Sequence, residues 1–316
     1  MRIVRGVLVL VAVTLMVAMA GPVYATKGIA IRIAYPSGMN GEIPVVMNRY
    51  GIAVKNGLNA RFVFFQYGPP AMEALASGKV DAVVTSLMPV TTFIFRRPHD
   101  AVIVANLGQS SFSLMVSKAS LVKNVSGLSG KKIAVSFGSD SYLSLVRYLK
   151  AAHLVPGQNV TLLNMQPNEL MFALTQGYAD AIVVRQPQVL EMQEKFGARI
   201  IHTWPFRFVS LVRTAYLEQH PGALARYMMA LRQSILFIAQ HKRQASIAFG
   251  KTLRLDPKII EQVSVDNPQY RAHSLSDIDI SVTPKFVNVL KRWFAASYQY
   301  KMISKPISGQ PWILGQ

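Results

Sequence analysis

The sequence contains no cysteine, and it has few acidic residues for a chain of 316. Without thiols the protein forms no disulfide, uses no cysteine nucleophile and holds no metal ion through sulfur. Lysine and arginine number 34, against 15 aspartates and glutamates, so the formal net charge is +19 at pH 7. Charge of this size informs about partners rather than about fold. Two interpretations stay open: a generally basic surface suited to an acidic or membrane-proximal setting, and attraction of a small anion.

Signatures of nucleic-acid binding, catalysis and metal binding are also lacking. The basic residues are scattered without a recognition motif, so we expect no nucleic-acid partner. The six histidines lack the short helical spacing of zinc sites, and neither Gly-x-Ser-x-Gly nor Gly-x-x-x-x-Gly-Lys occurs. Asp81 and Asp180 are interpreted as turn residues. We therefore predict no catalytic residue, metal or cofactor; the alternative is an exported catalyst, which turnover of a bound ligand would reveal.

Long apolar runs are scarce, and the one that stands out lies at the N-terminus. A basic start with Arg2 and Arg5 precedes the apolar stretch Val7–Met19, and small residues before Thr26 offer a cleavage site. This pattern predicts a signal peptide cleaved near Ala25. A retained membrane anchor is the alternative, although the stretch is shorter than the roughly 20 residues that a span needs. An exported, cysteine-free chain of this size suits the bacterial periplasm.

One segment of the sequence occurs twice. Residues 74–84 and 173–183 share an Ala-Leu-x-x-Gly-x-x-Asp-Ala pattern at an offset of 99 residues. The pattern predicts a helix that ends at a glycine with positive φ, Gly78 or Gly177, followed by a turn and a short strand. The strands that follow are continuously apolar, which indicates parallel sheets covered by helices on both faces. The sequence therefore predicts two α/β halves of similar build.

Candidate binding residues follow from the rule that ligands bind beyond the carboxyl ends of parallel strands. Ser86 and Arg185 are the second residues after the two repeats, again 99 residues apart. A loop at residues 136–141 links a predicted strand, Lys131–Val135, to a predicted helix, where free N–H groups and the helix dipole favour an anion or a polar ligand. Capping of that helix is the alternative role for Ser139, Asp140 and Ser141. Two lobes with polar strand ends facing each other indicate a hinged binding protein.

Two crossing points are expected between the lobes, at residues 118–120 and at residues 205–213. We expect two strand-like pieces before the first, at residues 101–105 and 112–116, a helix over residues 167–175 and a strand from Phe208. They divide the chain into a signal peptide (1–25), a first lobe (26–117), a second lobe (118–208) and a return to the first lobe (209–316). At this length the chain holds two domains of ordinary size.

Four kinds of stretch, taken together with their order along the chain, resemble periplasmic substrate-binding proteins of ABC importers. The resemblance is to the NMT1/THI5-like branch, which takes up sulfonates, taurine, nitrate and thiamine-precursor pyrimidines. The stretches are the two repeats, Gly130–Ser139, Ile33–Asn40 with its following helix, and Leu217–Pro221. The resemblance implies a type II periplasmic-binding fold, in which two α/β lobes joined by two crossover segments close on one small ligand. It also implies delivery of that ligand to a membrane permease by a monomeric protein.

The sequence departs from the family after the second repeat. The family commonly continues with Trp-Glu/Asp-Pro, whereas this chain has Arg185-Gln186-Pro187. Arginine can hold a sulfonate or carboxylate through two parallel hydrogen bonds, so an anionic ligand is favoured. A salt bridge of Arg185 across the lobes is an alternative. Binding of a pyrimidine thiamine precursor or another small organic ligand, and ligand sensing for a membrane receptor, also stay open.

By position in the family fold, we expect the ligand-binding residues on two facing walls. Met39 would supply an apolar surface for the ligand, with core packing as its alternative role. The first-lobe wall would comprise Ser37, Met39, Asn40 and Ser86, and the second-lobe wall Gly138, Ser139, Asp140, Ser141 and Arg185.

Overall fold

A computed structural model of the chain describes residues 28–313. The predicted signal peptide, residues 1–25, lies outside the described residues. Within the described part of the chain, no helix is both long enough and apolar enough to cross a membrane.

Eight strands form one mixed sheet in the order β2-β1-β3-β8-β4-β7-β5-β6. Their bounds are β1 Ile29–Pro36, β2 Leu58–Phe65, β3 Ala82–Thr85, β4 Ala101–Val116, β5 Lys132–Val135, β6 Thr161–Asn164, β7 Ala181–Arg185 and β8 Arg199–Arg213. Strands β2, β1 and β3 pair in parallel, and so do β6, β5 and β7. We call these two groups, with the helices that follow their strands, the first and the second lobe.

Two long strands connect the lobes. Strands β4 and β8 are antiparallel to each other along nearly their whole length, from Ala101 opposite Arg213 to Val116 opposite Arg199. Strand β8 also pairs with β3 of the first lobe, and β4 pairs with β7 of the second. The sequence predicted two separate strand pieces within β4 and a strand from Phe208 only, and both predictions are wrong. Residues 118–120, the first expected crossing point, follow a strand that already joins both lobes.

Twelve helices among the described residues cover both faces of the sheet. Their bounds are α1 Glu42–Arg49, α2 Ile52–Lys55, α3 Gly68–Ala76, α4 Leu87–Arg96, α5 Asp140–Ala151, α6 Pro167–Thr175, α7 Gln188–Phe196, α8 Thr214–Gln219, α9 Ala223–Gln240, α10 Lys242–Leu253, α11 Pro257–Ser264 and α12 Pro284–Gln299. The predicted helix at 167–175 is confirmed. Gly78 and Gly177 have φ values of 70° and 74°, so the predicted helix ends are also confirmed.

The apolar strands of the repeats are buried on both faces. In β3, Val83 and Val84 point into two different hydrophobic clusters on opposite sides of the sheet, and both are fully buried. In β7, Ile182 and Val183 alternate in the same way between two clusters. A strand with one solvent-exposed face alternates between apolar and polar residues. These strands are buried on both faces, which is why they are continuously apolar.

The repeated aspartates link neighbouring strands, beyond the turn role expected of them. The Asp81 carboxylate accepts a hydrogen bond from the Arg32 backbone N–H at 2.8 Å, and the Asp81 N–H donates to the Arg32 carbonyl at 2.9 Å. Asp180 makes the same two contacts with Lys132, at 2.8 and 2.9 Å. In the first lobe the Arg32 guanidinium adds two more hydrogen bonds to the buried Asp81 carboxylate, at 2.6 and 2.8 Å. Each aspartate therefore fixes the third strand of its lobe against the first.

Candidate functional site

A small cavity lies between the lobes, beyond the carboxyl ends of β3 and β7. It encloses about 40 Å³, and we call it the inner cavity. Its lining is mainly hydroxyl groups and apolar side chains, together with one carboxylate and one guanidinium. The lining residues are Tyr67, Gly68, Ser86, Pro89, Phe112, Ser136, Ser139, Asp140, Ser141, Pro167, Leu170, Val183, Val184, Arg185, Gln188 and Phe206.

Five of the nine predicted site residues line this cavity: Ser86, Ser139, Asp140, Ser141 and Arg185. The other four are placed differently. Ser37 contacts Arg185, whereas Met39 is 2% exposed and packs in a core cluster. Asn40 is also buried, and its Oδ1 has no hydrogen-bond partner among the described residues. Gly138 forms the backbone turn before α5, with φ of 74°. The core-packing role of Met39 therefore prevails over the expected ligand contact.

Arg185 at the end of β7 reaches across to the first lobe. Its Nη2 donates to the Ser37 hydroxyl at 2.9 Å and to the Gln66 carbonyl at 2.5 Å. Its Nε is buried and has no hydrogen-bond partner within residues 28–313. Burial lowers the pKa of Arg185 to about 10, and the nearby Asp140 carboxylate acts in the opposite direction. The guanidinium is therefore charged at neutral pH. Its Nη2 donates to two uncharged acceptors of the first lobe instead of forming a salt bridge across the lobes.

Asp140 makes the second polar contact between the lobes. One carboxylate oxygen, Oδ1, accepts a hydrogen bond at 2.8 Å from the Met88 backbone N–H in the first turn of α4. The other, Oδ2, is buried and accepts no well-formed hydrogen bond from the described residues, although the Ser86 hydroxyl lies near the carboxylate. Burial raises the pKa of Asp140 to about 6, and Ser86, Met88 and Arg185 counteract part of the rise. The carboxylate is thus mostly ionised at neutral pH.

Two helices begin at the inner cavity, one from each lobe. Ser86 is the N-terminal flanking residue of α4, and Ser139 holds the same place at α5. The Ser139 hydroxyl accepts from the Tyr142 N–H at 3.3 Å and lies 2.7 Å from the Ser141 hydroxyl. The capping role that sequence left open for Ser139 is therefore present. Both helix N-termini contribute positive potential to the cavity, which favours negative charge there.

The two repeats also position equivalent serines at the strand ends. The Ser37 hydroxyl donates to the Gln66 carbonyl at 2.9 Å, and the Ser136 hydroxyl donates to the Met165 carbonyl at 2.8 Å. Ser37 corresponds to Ser136 and Gln66 to Met165, each at the offset of 99 residues that relates the two repeats. Ser136 lines the cavity, and only its place after a strand could have indicated it from sequence.

A larger, more open cavity adjoins the inner one on the far side of the Arg185 bridge. It measures about 460 Å³, and we call it the outer cavity. Ser37 and Gln66, the two acceptors of Arg185, lie in its wall, and Pro167 and Gln188 line both cavities. The apolar part of its lining comprises Phe64, Met171, Leu253 and Leu255. Arg185 therefore lies between the small inner cavity and the wider outer cavity.

Nothing in residues 28–313 brings three or more histidine, aspartate or glutamate side chains together as a metal site.

Two lobes on a shared pair of long strands, with a cavity between them, define the type II periplasmic-binding fold, as predicted. The model of the family described as NMT1/THI5 like matches residues 54–245, which is more than half of the chain. The chain belongs to this family.

Curated relatives of the chain bind sulfur-containing acids, according to their names. A Bacillus subtilis (strain 168) protein, provisionally named an aliphatic sulfonates-binding protein, is 27% identical over 219 residues. That match covers 66% of this chain and 64% of the relative, which is slightly under two thirds of its length. The taurine-binding periplasmic protein of Escherichia coli (strain K12) is 26% identical over 227 residues, covering 68% of each chain.

A solved structure agrees with the fold. The alkanesulfonate-binding protein SsuA from Xanthomonas axonopodis pv. citri, bound to MOPS, superposes with a TM-score of 0.76 at 17% identity. The superposition covers 92% of this chain and 99% of that one. At this identity the likeness supports the architecture, not the ligand.

Proposed function

We propose that this protein is the periplasmic solute-binding component of an ABC-type importer. It captures a small ligand with an anionic group in the inner cavity, by closure of the two lobes, and delivers that ligand to a membrane permease. The proposal includes export with cleavage near Ala25, a monomeric state and no enzymatic activity. The observation that carries it is Arg185, a buried guanidinium in the wall of the interlobe cavity whose Nε has no hydrogen-bond partner among the described residues.

The electrostatics of the cavity support an anionic group on the ligand. A buried cation is stable only when it is paired or well hydrogen-bonded, and Arg185 satisfies only part of its donor capacity with protein acceptors. A sulfonate or carboxylate oxygen at Nε would complete the set with a charge-assisted hydrogen bond. The N-termini of α4 and α5 add favourable potential from both lobes.

The distribution of contacts supports closure as the binding step. Arg185 and Asp140 belong to the second lobe, and their partners Ser37, Gln66 and Met88 belong to the first. These contacts exist only when the lobes approach each other. A ligand in the inner cavity touches both walls at once, so its binding energy favours the closed arrangement.

The inner cavity combines hydroxyl groups with one carboxylate. Its hydroxyls belong to Ser86, Ser136, Ser139, Ser141 and Tyr67, and no histidine or lysine accompanies them among the described lining residues. The Ser139 hydroxyl caps α5 and donates to the Ser136 carbonyl. The Asp140 carboxylate lies near the Ser86 hydroxyl, and its Oδ1 accepts the hydrogen bond of the Met88 N–H. The proposed role is binding and release of an unchanged ligand, and turnover of the bound ligand, with Asp140 as base to Ser86, would contradict it.

A thermal-shift screen of the purified protein tests the proposal. The panel comprises taurine, alkyl and aryl sulfonates, nitrate, bicarbonate, small carboxylates, pyrimidines and amino acids. A ligand at 100 times its Kd stabilises the folded state by about 2.7 kcal/mol, which gives an easily measured shift in Tm. Stabilisation by a compound with an anionic group is expected, whereas stabilisation by neutral pyrimidines alone contradicts the anionic ligand.

Arg185→Ala should weaken the best ligand by about 1.5–3 kcal/mol, because a charge-assisted hydrogen bond is lost. Arg147→Ala is the matched control, since Arg147 is exposed on α5 and lines neither cavity. Isothermal titration of both variants measures the effect. Equal affinity of Arg185→Ala and wild type would remove Arg185 from the site. Uptake of the identified ligand by cells with and without this protein tests delivery.

A further inference from the structure

The last part of the chain carries positive charge without any acid to balance it. Residues 280–316 contain no aspartate or glutamate and five basic residues: Lys285, Lys291, Arg292, Lys301 and Lys305. All five are exposed, and none of them forms an ion pair with a carboxylate of residues 28–313. Unpaired surface charge of one sign informs about partners.

Two open grooves bring part of this charge together around an exposed aromatic ring. Helix α12 packs against α4, and both grooves lie along the C-terminal half of α12. One groove, of about 760 Å³, is lined by Arg96 and Lys301, and the other, of about 340 Å³, by Lys291. Tyr298 lines both grooves and is 46% exposed. Among the described residues no acid lines either groove. We call Arg96, Lys291, Tyr298 and Lys301 the basic face.

We propose that the basic face docks on the surface of a membrane that contains anionic lipids. None of its four residues lines the inner or the outer cavity, so this contact is separate from the solute site and goes beyond the proposed function. The contact is peripheral, because the apolar side of α12 is already used within the protein. Its residues Phe286, Leu290 and Phe294 are buried in a core cluster, and only the polar side of the helix faces outward.

The composition of the basic face favours lipid headgroups over an acidic peptide. Two of its three cations are lysines, which act as point charges on flexible stems and suit headgroups that move. Recognition of a fixed carboxylate favours the rigid fork of arginine instead. Tyr298 combines an apolar ring with a polar hydroxyl, the kind of side chain that is enriched where a membrane meets water. Beside it, Lys150 of α5 lies 5.1 Å from the centre of the Tyr300 ring and adds a further positive charge.

Sedimentation with lipid vesicles tests the preference for anionic lipid. Vesicles with equal parts of phosphatidylglycerol and phosphatidylcholine are compared with vesicles of phosphatidylcholine alone. We expect at least about tenfold stronger partitioning of the protein to the anionic vesicles at about 50 mM salt. Most of this preference should disappear at about 300 mM salt, because salt screens exposed charges.

A matched pair of triple variants separates the basic face from the overall charge of the protein. One variant neutralises the three cations of the face by Arg96→Gln, Lys291→Gln and Lys301→Gln. The control neutralises three exposed cations that line neither groove, by Lys123→Gln, Lys258→Gln and Arg271→Gln. Both variants lose the same net charge. A cation that approaches an anionic surface strengthens binding about fivefold, so the face variant should partition at least about tenfold more weakly than wild type. The control should lose less than about threefold, because its cations stay farther from the lipid.

Tyr298→Ala tests the aromatic part of the contact. It should partition at least about threefold more weakly to the anionic vesicles, since the ring no longer reaches the interface. Tyr178→Ala is the control, because Tyr178 is 60% exposed but lies outside the basic face. Equal partitioning of these two variants would contradict the assigned face.

Other results would also overturn the proposal. Equal losses in the two triple variants would assign binding to the overall charge, and equal partitioning to both kinds of vesicle would remove the anionic lipid. If soluble oligoglutamate distinguishes the triple variants and the vesicles do not, the face takes an acidic peptide instead. Thermal unfolding checks that the variants fold. If a triple variant does not, Lys291→Gln is compared with Lys123→Gln, and at least about twofold weaker partitioning of the former is expected.

Discussion

Glu42 should make the stability of the protein depend on pH in a way that a single substitution removes. The side chain begins α1, is fully buried and accepts hydrogen bonds from the Ser264 hydroxyl at 3.0 and 3.3 Å. Burial raises the pKa of Glu42 from 4.5 to about 8, and Ser264 offsets part of the rise. Glu42 is therefore protonated in the folded protein at neutral pH and ionised in the unfolded chain.

The sign of the effect follows from this difference in pKa. The folded pKa lies above the unfolded one, so the stabilisation is fully present below about pH 4.5 and is lost as pH rises through about 8. At 1.36 kcal/mol per unit of pKa, the loss amounts to about 3 kcal/mol by pH 7 and about 5 kcal/mol above pH 8. Glu42→Gln keeps the neutral shape and can donate to Ser264, so it avoids this loss.

Urea unfolding at pH 5, 7 and 9 measures the effect. The free energy of unfolding of Glu42→Gln minus that of wild type should rise steadily with pH, by about 3 kcal/mol or more over the series. Glu218→Gln is the control, because Glu218 is exposed; its difference from wild type should stay constant. A pH-independent difference for Glu42→Gln would refute the buried neutral carboxyl.

Two further substitutions test the repeat and the cavity. Asp81→Asn should lower the free energy of unfolding in urea by about 2–3 kcal/mol, because the buried Asp81 carboxylate accepts charged hydrogen bonds. Asp180→Asn should lower it by under about 1 kcal/mol, because that side chain is exposed. Equal losses in the two variants would contradict the unequal burial. Gly68→Ala should lower ligand affinity at least about tenfold, because a Cβ there would lie 2.4 Å from the Pro89 side chain in the cavity wall. Gly127→Ala, with its nearest atom at 3.4 Å, should bind like wild type, and titration of both variants decides the point.

The repeated halves of the fold were predictable because their signals are local. A glycine at a helix end and a continuously apolar strand depend on the few residues around them, and the repeat presents both twice. Gly78 and Gly177 adopt the expected positive φ, and the helix at 167–175 has the predicted bounds. The conclusion of two α/β halves needed no knowledge of distant contacts.

The two long strands were not predictable in full, since their pairing is remote in sequence. The polar stretch from Asn106 to Ser111 interrupts the apolar pattern of β4, and Pro205 interrupts that of β8. The ladder nevertheless continues through both stretches, with register shifts at 103/105, 106/108 and 114/115. Pairing between distant residues here outweighs local preference, as is common for strands.

For the candidate site, sequence located the walls but not the contacts between them. Arg185 and Ser86 could be placed near a cleft because ligands bind at strand ends. The Asp140 contact with the Met88 N–H depends on how two lobes face each other, and no local pattern encodes that. Met39 was misplaced because an apolar residue in a loop packs equally well into a core.

The continuous ladder of β4 and β8 constrains how the lobes can part. The two strands are hydrogen-bonded to each other along nearly their whole length, from one lobe to the other. One strand therefore resists sliding along the other, because sliding would break many hydrogen bonds at once. They can bend together, and the ladder is already irregular at the register shifts near Ile103, Asn106 and Leu114. Opening by such a bend would break the contacts of Arg185 and Asp140 across the cleft and the packing of Met88 against Leu143.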